Sequence, residues 1–191
     1  MTTPGRREVL AAIAILAGFA LVFRRVGVGR FNRSHAKATT VSAQPGNTLG
    51  EVGAVLPELD LTDVNDNPLS SADFQGKVLL VDYWAPWCQP CEKEMPGYQQ
   101  LYDKYRERGL VVLGVLFDPG MSMGDESPDH FAKRLCITYP FVKDSPELQA
   151  QFGGIKGIPT TFIIDRKRVI RYKVVGFEYT ANIEAALQPL L

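Results

Sequence analysis

Two of the three cysteines in this chain of 191 residues stand with two residues between them in WAPWCQPC, Trp84 to Cys91. Cys88 and Cys91 could form half of a zinc site, a permanent staple or a reversible redox couple. Structural zinc takes four ligands. The chain offers only Cys136, His35, His130 and scattered carboxylates for the rest, with no second such motif and no histidine pair, so no metal is expected. A permanent bridge over so small a loop would remove little entropy from the unfolded chain. The redox couple has a positive physical case, which lies in the elements that flank it.

KVLLVDYWA (77–85) is a continuous apolar, β-rich run bounded by Gly76 and Pro86, and it reads as a strand buried on both faces. QPCEKEMPGYQQLYDKYRERG (89–109) sets Met95, Tyr98, Leu101, Tyr102 and Tyr105 at helical spacings and ends in basic residues and a glycine. Pro96 should kink or divide that helix, because it lacks a backbone donor. Cys88 thus falls where a strand ends and a helix begins, and there unpaired N–H groups and the helix dipole stabilise a thiolate. Cys91 lies about one turn further in, near enough to attack a mixed disulfide on Cys88. Cys88 is read as the attacking thiol and Cys91 as the resolving one.

Asp82 is the one charged residue inside the strand. Desolvation there should raise its pKa, letting it accept a proton from Cys91 during exchange and return it later; the plainer alternative is an acid held by hydrogen bonds to the neighbouring helix. Trp87 is placed to shield the thiolate and touch substrate, whereas Trp84 reads as core packing. Cys136, between Leu135 and Ile137 in KRLCITYPF, is expected to be a buried apolar residue.

The remaining elements alternate. LPELDLTDVNDNPLSSADFQGK (56–77) reads as a β-hairpin preface with a helix cap at Ser70 or Ser71, 110–117 as a second buried strand, and 129–135 and 146–154 as helices. Residues 160–165 and 169–176 read as a strand pair, and 179–191 as a closing helix. That order predicts an α/β fold with a central mixed sheet flanked by helices.

The zero net charge hides an asymmetry: residues 1–40 hold seven Lys/Arg against one Glu, and the remainder fourteen against twenty Asp/Glu. An acidic domain gives no electrostatic reason to expect nucleic acid. In the basic head, fifteen apolar residues from Val9 to Phe23 follow Arg6 and Arg7 and precede Arg24 and Arg25, which reads as an export or anchoring segment. Its RREVL stretch looks like a twin-arginine signal, although the basic residues after the run would by themselves favour the opposite orientation. The expected organisation is a signal or membrane-anchor segment over 1–31, a tether rich in Ser, Thr, Ala and Gly over 32–55, and one domain over 56–191.

LLVDYWAPWCQPC resembles the active-site strand and motif of the thioredoxin superfamily. The preface, CEKEMP (91–96) and GIPTTFIID (157–165) make the chain, from about residue 50 onward, more similar to the TlpA/ResA-like thiol-disulfide oxidoreductases, which share a redoxin or AhpC/TSA-like domain. The resemblance implies a thioredoxin fold and a Cys88–Cys91 disulfide. It also implies a cis Pro159 that sets Ile158 and Thr160 beside the disulfide, where a substrate strand can pair. Asp82 matches the buried acid of thioredoxin, at a position where the TlpA/ResA-like members often carry Asn. Glu94 matches an active-site acid of the ResA type; on a mostly polar helix the same residue could equally be an ordinary solvated side chain.

The functional expectation is an extracytoplasmic reductase of disulfides in exported proteins, for example in cytochrome c maturation. It would be recharged by an upstream membrane dithiol carrier, held to the membrane by its amino-terminal segment if that is uncleaved, and free of any cofactor. The alternatives are a disulfide donor, a thiol peroxidase and a tethered binding module without turnover. The peroxidase pattern P-x-x-x-T-x-x-C is missing, since Ala85 stands three before Cys88.

Overall fold

The computed structural model describes residues 48–117 and 126–191. The expected export segment over 1–31 and the tether up to residue 47 lie outside the described residues.

Strand β3 (Val78–Trp84) is buried along its whole length. It pairs in parallel with β4 (Leu110–Leu116) and antiparallel with β6 (Thr160–Ile164). A three-residue strand, β5 (Phe141–Lys143), adds in parallel to β4, and β7 (Ile170–Val175) adds antiparallel to β6. The five-stranded mixed sheet runs β5-β4-β3-β6-β7. Ahead of it, β1 (Leu61–Thr62) and β2 (Pro68–Leu69) pair antiparallel. Their turn is closed by Asp63, whose carboxylate accepts from the backbone of Asn65 and Asn67 and from the Asn67 side chain. A single turn of helix, α1 (Ser71–Phe74), follows, capped by Ser70 and Asp73.

Alternation along β3 divides the core. Val78, Leu80 and Trp84 face one layer, with helix α2 (Gln89–Tyr105), helix α5 (Thr180–Leu187) and Phe131 of helix α3 (Pro128–Arg134). Leu79, Val81 and Tyr83 face the other, with Leu148 of helix α4 (Pro146–Gln151), Phe152 and the amino-terminal residues Ala54, Leu56, Leu59 and Leu61. Asp82 shares the parity of Leu80 and Trp84, so the strand aims it at α2.

Three expectations need correction. Pro96 does not divide α2, which stays one helix because the buried Cys91, Met95, Tyr98 and Leu101 fasten it to the sheet on both sides of the proline; a missing donor costs about 3 kcal/mol, less than four such side chains gain by burial. Residues 48–55, expected in the tether, are packed on the domain. Gly53 N donates to Ile170 O, and Ile170 N to Ala54 O. Gly50 takes a positive φ (73°) so close to Phe152 that a Cβ there would overlap its carbonyl. Third, Cys136 is exposed. It follows the end of α3 in the left-handed region (φ 55°), and Ile137 takes the buried place instead.

Candidate active site

The site is built where β3 ends. Ala85 follows the strand, Cys88 N donates to Ala85 O across a tight turn, and Cys88 becomes the N-cap of α2 with Pro90 in the first turn. Cys88 and Cys91 are joined as a disulfide with their Cα atoms 5.3 Å apart. Cys91 N donates to Cys88 Sγ (3.3 Å), so the sulfur already receives one of the N–H groups that helix starts leave unpaired. Cys91 has no accessible surface, while Cys88 keeps 4%. Of the two, Cys88 is the one with surface that a partner can reach.

Sheet register brings the second segment to the same place. Tyr83, next to last in β3, pairs with Thr160, first in β6. The Ile158–Pro159 bond just before it is cis. Ile158 is half-buried, and Pro159 is buried and accepts from Gly176 N at its carbonyl. Thr160, expected as a substrate contact, is instead committed to the fold: it is 2% exposed, paired with both Tyr83 and Val175, and its hydroxyl donates to Gly157 O (2.6 Å). Ile158 is the residue of this segment that reaches the surface. The two tryptophans divide. Trp84 is sealed between Phe131 and Phe141, with ring centroids 4.4 Å from each, whereas Trp87 is 49% exposed beside the disulfide.

The strand and the helix that flank the cysteine turn also bury two acids. Asp82 is fully buried, and its Oδ1 accepts from the Thr161 hydroxyl (3.3 Å). That hydroxyl has one proton, so the 3.0 Å contact between Tyr98 Oη and Thr161 Oγ1 runs from Tyr98 to Thr161. The chain Tyr98, Thr161, Asp82 thus ends on the carboxyl. Glu94 is not on a solvated face: with Cys91, Met95 and Tyr98 it forms the inward stripe of α2 and is 2% exposed. Its Oε2 accepts from Glu178 N (3.2 Å). Burial drives the pKa of both carboxyls upward. The Asp82 charge adds to the effect on Glu94, while hydrogen bonds from Thr161 to Asp82 and from the Glu178 backbone to Glu94 oppose it. At neutral pH the pair therefore retains at least one proton.

Sequence reasoning passes over the residues that hold these acids. Tyr98 lies four positions after Glu94 on the same helical face, a spacing that could have shown the link. Glu178 is itself buried, with its carboxylate accepting from Tyr179 N, Asn182 Nδ2 and Tyr172 Oη, and no motif marks it. Among the described residues, no group of three His, Cys, Asp or Glu side chains is arranged to hold a metal ion. A cleft of about 440 Å³ lies near Leu59, Phe74, Lys77 and Leu79, at the start of β3 and away from the cysteines.

A mixed sheet, a CxxC disulfide at the start of the helix after its central strand, and a cis proline opening the antiparallel neighbour define the thioredoxin-like class of thiol-disulfide oxidoreductases. The chain belongs to the AhpC/TSA family, which it matches over residues 52–173, and within the thioredoxin superfamily it is TlpA/ResA-like. It is 31% identical over 140 residues, 73% of this chain and 78% of the relative, to the thiol-disulfide oxidoreductase ResA of Geobacillus kaustophilus (strain HTA426). Over 135 residues, 71% of this chain and 78% of the relative, it is 32% identical to the thioredoxin-like protein YneN of Bacillus subtilis (strain 168). Among solved structures it resembles a thiol:disulfide interchange protein of the thioredoxin family from Chlorobium tepidum TLS, with TM-score 0.60, 29% identity and coverage of 71% of this chain and 94% of the other. A thiol-disulfide isomerase from Corynebacterium glutamicum superposes with TM-score 0.61 at 26% identity, covering 71% and 95%. The match from residue 52 agrees with a domain that begins before residue 56.

Proposed function

We propose that this oxidoreductase works outside the cytoplasm as a reductant of disulfides in exported proteins, cytochrome c precursors among them, and is recharged by a membrane dithiol carrier. The observation that carries the direction is the buried acidic pair behind Cys91. Strongly oxidising members of this chemistry owe their potential to a stabilised reduced form. Here the groups behind the resolving cysteine are two carboxyls, bonded to a threonine hydroxyl and a backbone N–H and to no cation. Their negative charge disfavours a thiolate beside them.

In the forward reaction Cys88 thiolate attacks the client disulfide, with Trp87 and Ile158 bordering the approach. Cys91 gives its proton to the ionised member of the Asp82/Glu94 pair and displaces the client from Cys88. The disulfide-donor reading runs the same steps backward. A peroxidase reading is not favoured, because Ala85 supplies no hydroxyl three residues before Cys88.

The direction is tested by the equilibrium reduction potential of Cys88–Cys91 in the purified protein, measured in thiol buffers with mass-tagging of free cysteines. The expected value lies near or below the thioredoxin end, about −270 mV, and a value near the DsbA end, about −120 mV, overturns the direction. The compartment is tested at the exposed Cys136. A membrane-impermeant maleimide should label it in intact cells as fully as in lysed ones. Labelling only after lysis places the domain inside.

A further inference from the structure

Among the described residues, six large apolar side chains are exposed, and four of them, Trp87, Val175, Phe177 and Tyr179, lie at the end of the sheet that carries the disulfide. The other two, Leu49 and Val55, belong to the amino-terminal stretch. Trp87 directly precedes Cys88. Val175 ends β7 opposite Thr160, the first residue of β6, and Gly176 N then donates to Pro159 O (2.8 Å), so the chain leaves β7 against the cis proline. Gly176 turns it with a positive φ (94°). Two residues further on, Glu178 N donates to Glu94 Oε2 (3.2 Å), one turn of α2 beyond Cys91. Phe177 therefore stands between the cis proline and the first turns of α2, and its ring meets that of Tyr179 edge-on with centroids 5.2 Å apart.

The fold fixes the backbone of this segment without using its two aromatic side chains. The Glu178 carboxylate accepts from Tyr179 N, Asn182 Nδ2 and Tyr172 Oη, yet Phe177 stays 42% and Tyr179 69% exposed. An apolar patch held in place before any partner arrives marks a contact site, because little further ordering is needed when it binds. Its position says what the partner is. A client whose sulfur reacts at Cys88 has to lay the chain next to its own cysteine over this end of the sheet. Crossing from β3 over β6 to β7 covers two strand spacings, roughly 10 Å, which is the reach of about three residues of extended chain.

We propose that Phe177 and Tyr179 form an aromatic ledge that sets client specificity: it selects extended segments that carry a large apolar side chain about three residues from the reacting cysteine. Trp87 and Ile158 border the cysteine itself, and the ledge reads the side chain beyond them. A contact so far from the sulfurs is made equally before and during exchange, so it acts on the concentration of client needed and not on the rate at saturation. The proposal rests on exchange at Cys88–Cys91 and not on its direction, so an oxidising potential would leave it standing.

Its test uses the full-length reduced protein and short synthetic peptides, each with a central cysteine held as the mixed disulfide with nitrothiobenzoate, whose coloured thiol is released as Cys88 and Cys91 become oxidised. The reference peptide has serine at every other position, and the series moves one phenylalanine outward from the cysteine on either side. The parent should favour the peptide with phenylalanine about three residues away over the reference by roughly tenfold in the second-order rate constant, with the difference carried by the half-saturating concentration. Phe177→Ser should cut that preference to about twofold, and Tyr179→Ser should lower it as well. Release from the reference peptide reports exchange itself, so loss of preference and loss of exchange are read separately. A parent without the preference, a preference confined to phenylalanine next to the cysteine, or a preference kept in folded Phe177→Ser overturns the proposal. Should Phe177→Ser fail to fold, the more exposed Tyr179→Ser decides in the same way. A missing preference together with a solution mass of two chains that falls to one in Tyr179→Ser would assign the patch to a second copy, and that too overturns the proposal.

Discussion

Cys91→Ser will accumulate a one-to-one mixed disulfide between Cys88 and a disulfide-bearing substrate, whereas Cys88→Ser will form none and will lose turnover roughly a thousandfold or more. The asymmetry follows from burial: Cys91 is sealed, and Cys88 is the one of the pair that keeps any accessible surface. Cys88 also caps α2 and receives Cys91 N, so its thiolate is the one the helix start stabilises. Without Cys91 the first attack still occurs, but nothing displaces the client. The measurement is insulin reduction for turnover, with non-reducing electrophoresis and mass analysis for the trapped species. A trap that forms with Cys88→Ser and not with Cys91→Ser would invert the roles. Loss of insulin reduction with partner binding intact in Cys88→Ser would favour a binding module over an enzyme.

The sheet and helix order are legible because they depend on patterns longer than a few residues. β3 is seven buried residues between a glycine and a proline-bearing turn, and α2 carries its apolar stripe over more than four turns. β5 is not legible. Three residues carry no measurable period, and Phe141–Lys143 becomes a strand only because β4 offers it a partner. The start of the domain is hidden for a related reason: residues 48–55 look like tether by composition, yet their backbone finds partners around Ile170, more than a hundred residues later.

Within the site, the legible part is whatever sits next to the motif in sequence. Cys88, Cys91 and Asp82 share one strand-to-helix unit, and position alone implies their relation. Glu94 is ambiguous because the helix is polar on average, and only the sheet beneath it decides which polar residue is turned inward. Thr160 shows the limit of carrying a role from a motif, since neighbours on both sides of β6 occupy its backbone. Glu178 reaches Glu94 from a distant stretch of chain, and no local spacing encodes that meeting.

Asp82 will take stability from the oxidised protein as pH rises above about 4, and Asp82→Asn will remove that contribution. Burial pushes the Asp82 carboxyl up from 3.8 to about 7, so between those values the folded protein keeps a proton that the unfolded chain has released. Stability falls with pH wherever the folded state binds more protons than the unfolded one. The contribution is therefore fully present below the unfolded value and lost as pH climbs through the folded one. Glu94, also raised by burial and by the Asp82 charge, acts in the same direction. The amide introduced by Asp82→Asn would still accept from Thr161 while carrying no charge to desolvate, so at pH 8 the variant should be more stable than the parent and at pH 4 close to it. The same substitution removes a proton acceptor from Cys91, and general-base contributions of this kind are worth about a hundredfold or more. Exchange by Asp82→Asn should therefore be slower by that order at pH 8, while near pH 5, where the parent carboxyl is already protonated, the two rates should approach each other. Urea unfolding of the oxidised proteins across this range, paired with stopped-flow exchange rates, measures both halves. Parallel stability curves would show that Asp82 is not desolvated as its surroundings imply, and a pH–rate profile unchanged by the substitution would remove it from the proton path.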